Sequence, residues 1–322
     1  MPRKQTPVNP RCRFREMACS WRPSFALRVA EVDSRKGIVA MTLSMASFIV
    51  NDALIKLVGE HMATVQVVFI RGLCATVLVL AGILLWQPQS LRTIAGRAGR
   101  VVGCRAVIDA LSTFGYLWAL FHLPLPDITA INMSAPLTVT ALAVIFLGER
   151  VAWRRWTAVL VGFLGVLFVI QPTGQGFNWF SLVALTATFF HAARDLLTRF
   201  IAGEVPSIVV TLATAVVVTL MAGVAVLAIG WQTVSALDLA LLSTAAVFLI
   251  GGYHFIIVAM RSGEASVVAP FRYTAILWSL FLGYGVWGDV PNPYATLGIV
   301  LLVASGLYMI HREAQSRQRQ GE

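Results

Sequence analysis

Runs of roughly 20 apolar residues, broken by short polar or turn-forming links, recur along this chain from about residue 37 to residue 311. An α-helix rises about 1.5 Å per residue, so a run of that length spans a hydrocarbon core about 30 Å thick. Run length and loop punctuation predict helices over 37–58, 65–86, 101–122, 128–147, 156–171, 180–202, 207–230, 238–259, 265–287 and 294–311. The pattern is that of an all-α integral membrane protein with ten transmembrane helices.

Composition agrees. Of 322 residues, 58% are apolar and 12% charged, and the mean hydropathy is +0.78. A soluble domain carries about 25% charged residues. Ordinary soluble enzymes, coiled coils and disordered chains are thereby excluded. The net charge of +10 would suggest nucleic acid in a soluble protein. Mapped on the spans, every Lys and Arg except Lys56, Arg71 and Arg272 falls on one side, in the tails and alternate links. The opposite links, Gly59 to Thr64, Leu123 to Asp127, Pro172 to Trp179, Trp231 to Leu237 and Gly288 to Pro293, contain none. The positive-inside rule then puts both termini in the cytoplasm, and the basic charge serves topology and anionic lipid rather than nucleic acid. Residues 1–36 read as a basic cytoplasmic tail before an uncleaved first helix, disordered unless Trp21, Phe25 and Leu27 form a short interfacial helix. Residues 312–322 read as a second cytoplasmic tail. Cys12, Cys19, Cys74 and Cys104 have neither disulfide nor zinc spacing.

The chain also repeats itself at a spacing of about 140. Asn51-Asp52-Ala53-Leu54-Ile55-Lys56 in the first span and Arg194-Asp195-Leu196-Leu197-Thr198-Arg199 in the sixth both read Asp-x-Leu-x-basic. Ala119 falls on Ala259, Ala135 on Ala275, and Leu147-Gly148-Glu149 on Trp287-Gly288-Asp289. The prediction is two five-helix units, 37–171 and 177–311. Because five is odd, the second enters the membrane from the opposite side, the inverted-repeat geometry of alternating access.

Charges inside the spans carry the candidate site. Each costs at least about 2.5 kcal/mol in the hydrocarbon, so it should face a partner or a water-filled cavity. Asp52 and Lys56 share a helix face at i,i+4, with Arg71 of the second span within reach. The expectation is an outer cluster of Asn51, Asp52, Lys56, Arg71 and Asn132, and an inner cluster of Arg194, Asp195, Arg199, Arg272 and Tyr273. As substrate-binding groups or gates they would hold polar parts of a cargo. The plainer reading makes them salt bridges within the bundle or snorkelling cations at helix ends. His191, near the middle of the sixth span, would titrate or bond a ligand, unless a neighbouring helix satisfies it. Asp109 reads as an ion or proton site, or as the partner of Arg105. Phe48, Trp118, Phe189 and Trp278 are the leading cavity aromatics, with Phe114, Phe190 and Phe281 beside them, although packing alone also explains such rings. Ala158, Gly162 and Gly165, with Gly298 and Gly306, are small-residue patterns for close helix contact. No catalytic constellation, metal motif or phosphate loop is present in the sequence, so no cofactor is expected.

These residues resemble the drug/metabolite transporter superfamily, specifically its ten-helix EamA-type carriers. Asn51-Asp52 to Lys56, Phe69-Ile70-Arg71-Gly72, Phe146-Leu147-Gly148-Glu149 and Gly162/Gly165 carry the likeness over about residues 37 to 311. Trp153-Arg154-Arg155-Trp156, Gln171-Pro172, Phe177-Asn178, Arg194-Asp195 and Ala269-Pro270-Phe271-Arg272-Tyr273 are similar to the branches that carry S-adenosylmethionine and riboflavin. The resemblance implies a secondary transporter of a small polar or aromatic metabolite in the bacterial inner membrane, with a central cavity. Amino-acid or drug efflux within the superfamily is the alternative, and a polytopic membrane enzyme the remote one. The implied partners are a small-molecule substrate and the lipid bilayer, not nucleic acid; a homodimer stays open.

Overall fold

A computed structural model describes residues 34–86, 96–147, 153–171, 177–198, 205–262 and 268–321. They form helices α1 (Ser34–Gly59), α2 (Thr64–Trp86), α3 (Gly96–Leu120), α4 (Leu125–Asn132), α5 (Ala135–Leu147), α6 (Trp153–Ile170), α7 (Phe180–Thr198), α8 (Ser207–Ile229) and α9 (Ala236–Ser262). A 3₁₀ turn, Ala269–Tyr273, then leads into α10 (Thr274–Trp287), and α11 (Pro293–Gly321) closes the chain. The anticipated short interfacial helix around Trp21 lies outside the described residues. Among the described residues, seven segments are long and apolar enough to cross a membrane, and Trp156–Ile170 is a shorter apolar helix. Large apolar side chains such as Leu220, Val224, Leu227 and Leu85 stand exposed, as lipid contact requires. The protein is an all-α, multi-span membrane protein.

Three boundaries differ from the sequence expectation. α11 continues through residues read as a tail, because Ala, Gln, Arg and Glu all favour a helix that need not end at the membrane surface. The stretches read as single helices, 128–147 and 265–287, are each interrupted. In the first, Pro136 has no N–H to give and its ring crowds the carbonyl of Asn132, so the chain turns at Met133-Ser134 and restarts. The Ser134 hydroxyl and backbone N–H both donate to the Ile131 carbonyl (2.6 and 3.1 Å), closing the turn. In the second, Pro270 opens the 3₁₀ turn and the Thr274 hydroxyl donates to Phe271 O (2.6 Å).

The two halves of the chain interdigitate. α1 lies along α9, α3 along α7, α2 along α8, and α6 along α11. α4 and α5 pack on α7, while the 3₁₀ turn and α10 pack on α1. Hydroxyls stitch the closest pairs: Ser44 donates to Gly252 O and Ser112 to Ala187 O, both at 2.8 Å. Ile55, Leu117, Leu120, Leu125, Ile128 and Ile131 fill the main core. At the α6–α11 contact a Cβ on Gly165 would sit 2.7 Å from the Gly298 carbonyl oxygen, and one on Gly298 would strike the Gly165 carbonyl. The small-residue pattern is therefore a backbone-to-backbone contact. Gly306 is likewise covered by the Tyr273 ring.

Described residues in and beside the links lacking Lys and Arg are bonded to one another at one end of the bundle. Gln66 and Gln232 exchange bonds (Nε2 to O 2.8 Å, N to Oε1 2.9 Å), and His61 bonds Asp238 (2.9 Å). Trp287 Nε1 donates to Glu60 (2.6 Å), Asn178 Nδ2 to His122 O (3.0 Å), and Gln171 Nε2 to Asn292 Oδ1 (2.8 Å).

Gly298→Val must force α6 and α11 apart, and overpacking of this kind costs about 1–3 kcal/mol. Its thermal midpoint in detergent should fall by several degrees, whereas Gly285→Ala, where a Cβ meets nothing within 4 Å, should stay at the wild-type value.

Candidate functional site

Asp52 sits on α1 with its carboxylate held by two neutral donors, Asn51 Nδ2 to Oδ1 (2.9 Å) and the Tyr116 hydroxyl to Oδ2 (2.7 Å). Arg71 of α2 is buried beside it. The two charges act on one another, yet no hydrogen bond or ion pair joins them. Asn51 is 2% exposed and Arg71 8% exposed. Asn51 Oδ1 and Arg71 Nε are both buried without a hydrogen-bond partner.

The second group is fully paired. Arg194 of α7 donates through Nη1 to Asp109 of α3 (2.7 Å), and through Nε and Nη2 to Asp195 (3.1 and 2.9 Å). Arg105, one turn below Asp109, approaches it at 3.6 Å and spends its other donors on Thr198 (2.8 Å) and Thr214 (2.9 Å). Sequence reasoning offered Arg105 as the partner of Asp109; the shorter bond comes from Arg194 across the helix interface.

The outer and inner clusters expected from sequence are not separate. Asp52 and Asp109 both act on Arg71, and Asp109 is also under the influence of His191 and Arg194. The phenol of Tyr253 on α9 feels the charges of Asp109, Arg194, Arg105 and Arg71, and its ring is edge-on to Phe48 at 5.3 Å. The Tyr253 residue is 37% exposed midway along a membrane-spanning helix, beside four charged groups. The Asp195 side chain is 42% exposed at the same column. His191 Nδ1 donates to Asn132 Oδ1 (3.1 Å), an oxygen that can only accept, and its ring lies 6.0 Å from that of Tyr116. Asn132, at the α4 break, thus joins His191 rather than Asp52.

Lys56 leaves the cluster expected of it. Its ammonium donates to Leu123 O (2.6 Å), lies 3.8 Å from Asp289, and stands 5.0 Å over the Trp287 ring. Asp289 also accepts from Leu125 N (3.3 Å). A lysine one turn from the helix end reaches the bonded links more easily than a carboxylate deeper in its own helix. Arg272 has an exposed side chain in the 3₁₀ turn and does not meet Asp195; Tyr273 is buried against Gly306. Arg199 lies outside the described residues.

Of the four aromatics, Phe48 joins the column and Trp278 packs half-buried on the main core. Trp118 is 44% exposed and packs edge-on to Trp179 and Phe180. Phe189 is exposed on the side of α7 opposite His191. Two grooves flank α3: one of about 350 Å³ between Thr64, Phe114, Trp118 and Ile229, and one of about 240 Å³ between Leu111, Trp179 and Phe190. Neither has a charged lining residue. Sequence reading missed Tyr116, Tyr253 and Asp289. Tyr116 and Tyr253 gave no signal beyond being phenols inside spans, whereas Asp289 stood in a link, where an acidic residue is unremarkable. Among the described residues no group of three or more His, Cys, Asp or Glu is placed to hold a metal.

Fold and site together define a multi-span membrane protein built around a charged interior. The chain belongs to the EamA-like transporter family, whose sequence profile matches residues 35–171 and again 178–311. It is thereby a member of the drug/metabolite transporter superfamily, a transporter and not an enzyme. It is 26% identical over 292 residues to an S-adenosylmethionine uptake transporter of Rickettsia conorii, covering 89% of this chain and 96% of that one. It is 26% identical to a riboflavin transporter of Rhizobium johnstonii (67% and 71% covered) and to a pseudopaline exporter of Pseudomonas aeruginosa (84% and 94%). A solved crystal structure shares the fold at a TM-score of 0.60 and 15% identity, covering 87% of this chain and 98% of that chain.

Arg194→Gln leaves Asp109 with only the longer 3.6 Å contact to Arg105, and breaking a buried pair costs up to about 3–5 kcal/mol. The variant should be recovered from membranes in much lower yield and melt well below wild type. Asp109→Asn in the same background should restore part of the loss, because the stranded charge is then gone; recovery by size-exclusion chromatography reads both.

Proposed function

We propose that this chain is a secondary carrier of a small polar metabolite in the bacterial inner membrane, working by alternating access. The observation that supports it best is the gathering of charged side chains from four helices inside the interlocked halves of an EamA-family chain. Charged groups gathered inside the bundle suit a carrier, which needs a polar path for its cargo.

In this reading the helices make ten crossings as two inverted five-helix units, 37–171 and 177–311, with both termini cytoplasmic. Several matched features support the duplication. The helix breaks fall at Met133 and Tyr273, 140 residues apart. The Ser44–Gly252 bond and the Ser112–Ala187 bond join equivalent positions with the halves exchanged. The pairings α1 with α9 and α3 with α7 exchange in the same way, while α2 with α8 and α6 with α11 each pair like with like. A half-turn about an axis in the membrane plane produces that pattern.

The bonded links are then the periplasmic end, and Lys56 with Asp289, Leu123 O and Trp287 forms its closure. The column would serve the cargo from the cytoplasmic side in this state. Relatives named for the transport of S-adenosylmethionine, riboflavin and pseudopaline support a small-metabolite cargo.

Counterflow in proteoliposomes tests the carrier reading. Preloading with S-adenosylmethionine or riboflavin should accelerate entry of the same labelled compound for at least one of them, saturably and without ATP. Asp289→Asn, which loosens the periplasmic closure, should change that exchange rate at least severalfold while leaving the protein folded. Absence of exchange with every metabolite tried would count against the reading.

A further inference from the structure

The two charged groups of the column differ in how far they are satisfied. Arg194 gives donors to two carboxylates, Arg105 to two threonines, and Asp109 takes from both arginines. Lys56 has a carbonyl and Asp289. Those groups have little left to offer a ligand. Around Asp52 the accounting is open. The Arg71 guanidinium is buried, touches no carboxylate, and has an Nε proton with no acceptor. Asn51 Oδ1 is a buried acceptor with no donor. Asp52 itself meets only neutral donors and no cation. Leaving a buried guanidinium without an anion is costly, and buried polar atoms without partners are rare enough to need a reason.

The missing partner can be read from this inventory. Arg71 lacks an anion, and a planar guanidinium matches a carboxylate in a two-pronged bond. Asp52 lacks a cation, and Asn51 Oδ1 beside it lacks a donor. A simple anion would satisfy Arg71 while adding a second negative charge near Asp52. A simple cation would do the reverse. A ligand with both charges a few atoms apart neutralises both at once. Resting on the carrier reading, we propose that Asn51, Asp52 and Arg71 form the recognition site for the zwitterionic headgroup of an α-amino-acid-type metabolite. Its carboxylate sits on Arg71, and its ammonium sits on Asp52 with Asn51 Oδ1 as a further acceptor. The edge-on pair of Phe48, one turn before Asp52 on α1, and Tyr253 is the aromatic surface offered to the rest of the molecule.

The test uses the full chain in detergent and in proteoliposomes. The probes are the proteinogenic L-α-amino acids and S-adenosylmethionine, with riboflavin as a ring compound lacking a zwitterionic headgroup. At least one zwitterion should raise the thermal midpoint and exchange in counterflow. Its methyl ester and its deaminated analogue should each compete at least about tenfold less well, since each leaves one buried charge unpaired. Arg71→Gln should lose the ligand-induced shift yet melt no lower than wild type, because it removes an unpaired charge rather than a pair. Arg71→Lys should regain part of the binding. If the ester or the deaminated analogue competes as well as its parent, or Arg71→Gln melts far below wild type and still binds, the assignment is overturned. Riboflavin exchanging while no zwitterion does would overturn the headgroup proposal and leave the carrier intact. Exchange of no compound at all would remove both.

Discussion

A hydrocarbon interior tolerates no charge without a partner, and that constraint organises this molecule. Asp109, Arg194 and Asp195 meet it by pairing with one another, whereas Asp52 rests on neutral donors and Arg71 is left without an anion. They come from α1, α2, α3 and α7, and only interleaved halves bring those helices around one axis. The apolar surface is a consequence: once the charges are inside, what remains outside is the leucine, valine and phenylalanine that lipid accepts.

Close packing then allows this polar interior to stay narrow. The Gly165–Gly298 contact lets α6 and α11 meet backbone to backbone at the periphery, and the Ser44 and Ser112 hydroxyls draw α1 to α9 and α3 to α7. These contacts hold rigid pairs. The interruptions at Met133-Ser134 and at Tyr273, by contrast, are where the helices nearest the column can bend, with Asn132 of the first reaching His191 in the interior. Rigid pairs with helix breaks between them are what the proposed carrier would need to open its two ends in turn. The closure at one end rests on Lys56 and Asp289, Trp287 and Glu60, and the glutamine exchange, contacts that water can replace once they part.

Apolar run length made every helical stretch but the polar C-terminal end of α11 legible, because in lipid the backbone has to satisfy itself and helix follows from hydrophobicity. The helix breaks were foreshadowed by Pro136 and Pro270 but not read, since a membrane helix often tolerates a proline. The charged residues were legible as exceptional. Their pairing was not: i,i+4 spacing tied Lys56 to Asp52 and Arg105 to Asp109, and tertiary geometry sent Lys56 to Asp289 and gave Asp109 to Arg194. Distance along a helix axis separated Asp52 from Asp195 into two clusters, whereas Arg71 and Asp109 from other helices bridge them. Tyr116 and Tyr253 were invisible because a phenol in a span is ambiguous until its neighbours are known. Trp118 and Phe189 show the same ambiguity in reverse, being aromatic, central along the chain, and peripheral in space.

The central claim is that one charged interior opens to each side of the membrane in turn. Tyr253→Cys in a background stripped of the native cysteines places a reactive thiol in the column, and a membrane-impermeant maleimide can be applied to right-side-out and to inside-out vesicles. The account predicts labelling from both sides, with the periplasmic rate rising and the cytoplasmic rate falling when Asp289→Asn loosens the outer closure. Labelling from one side only, unchanged by that substitution, would contradict it.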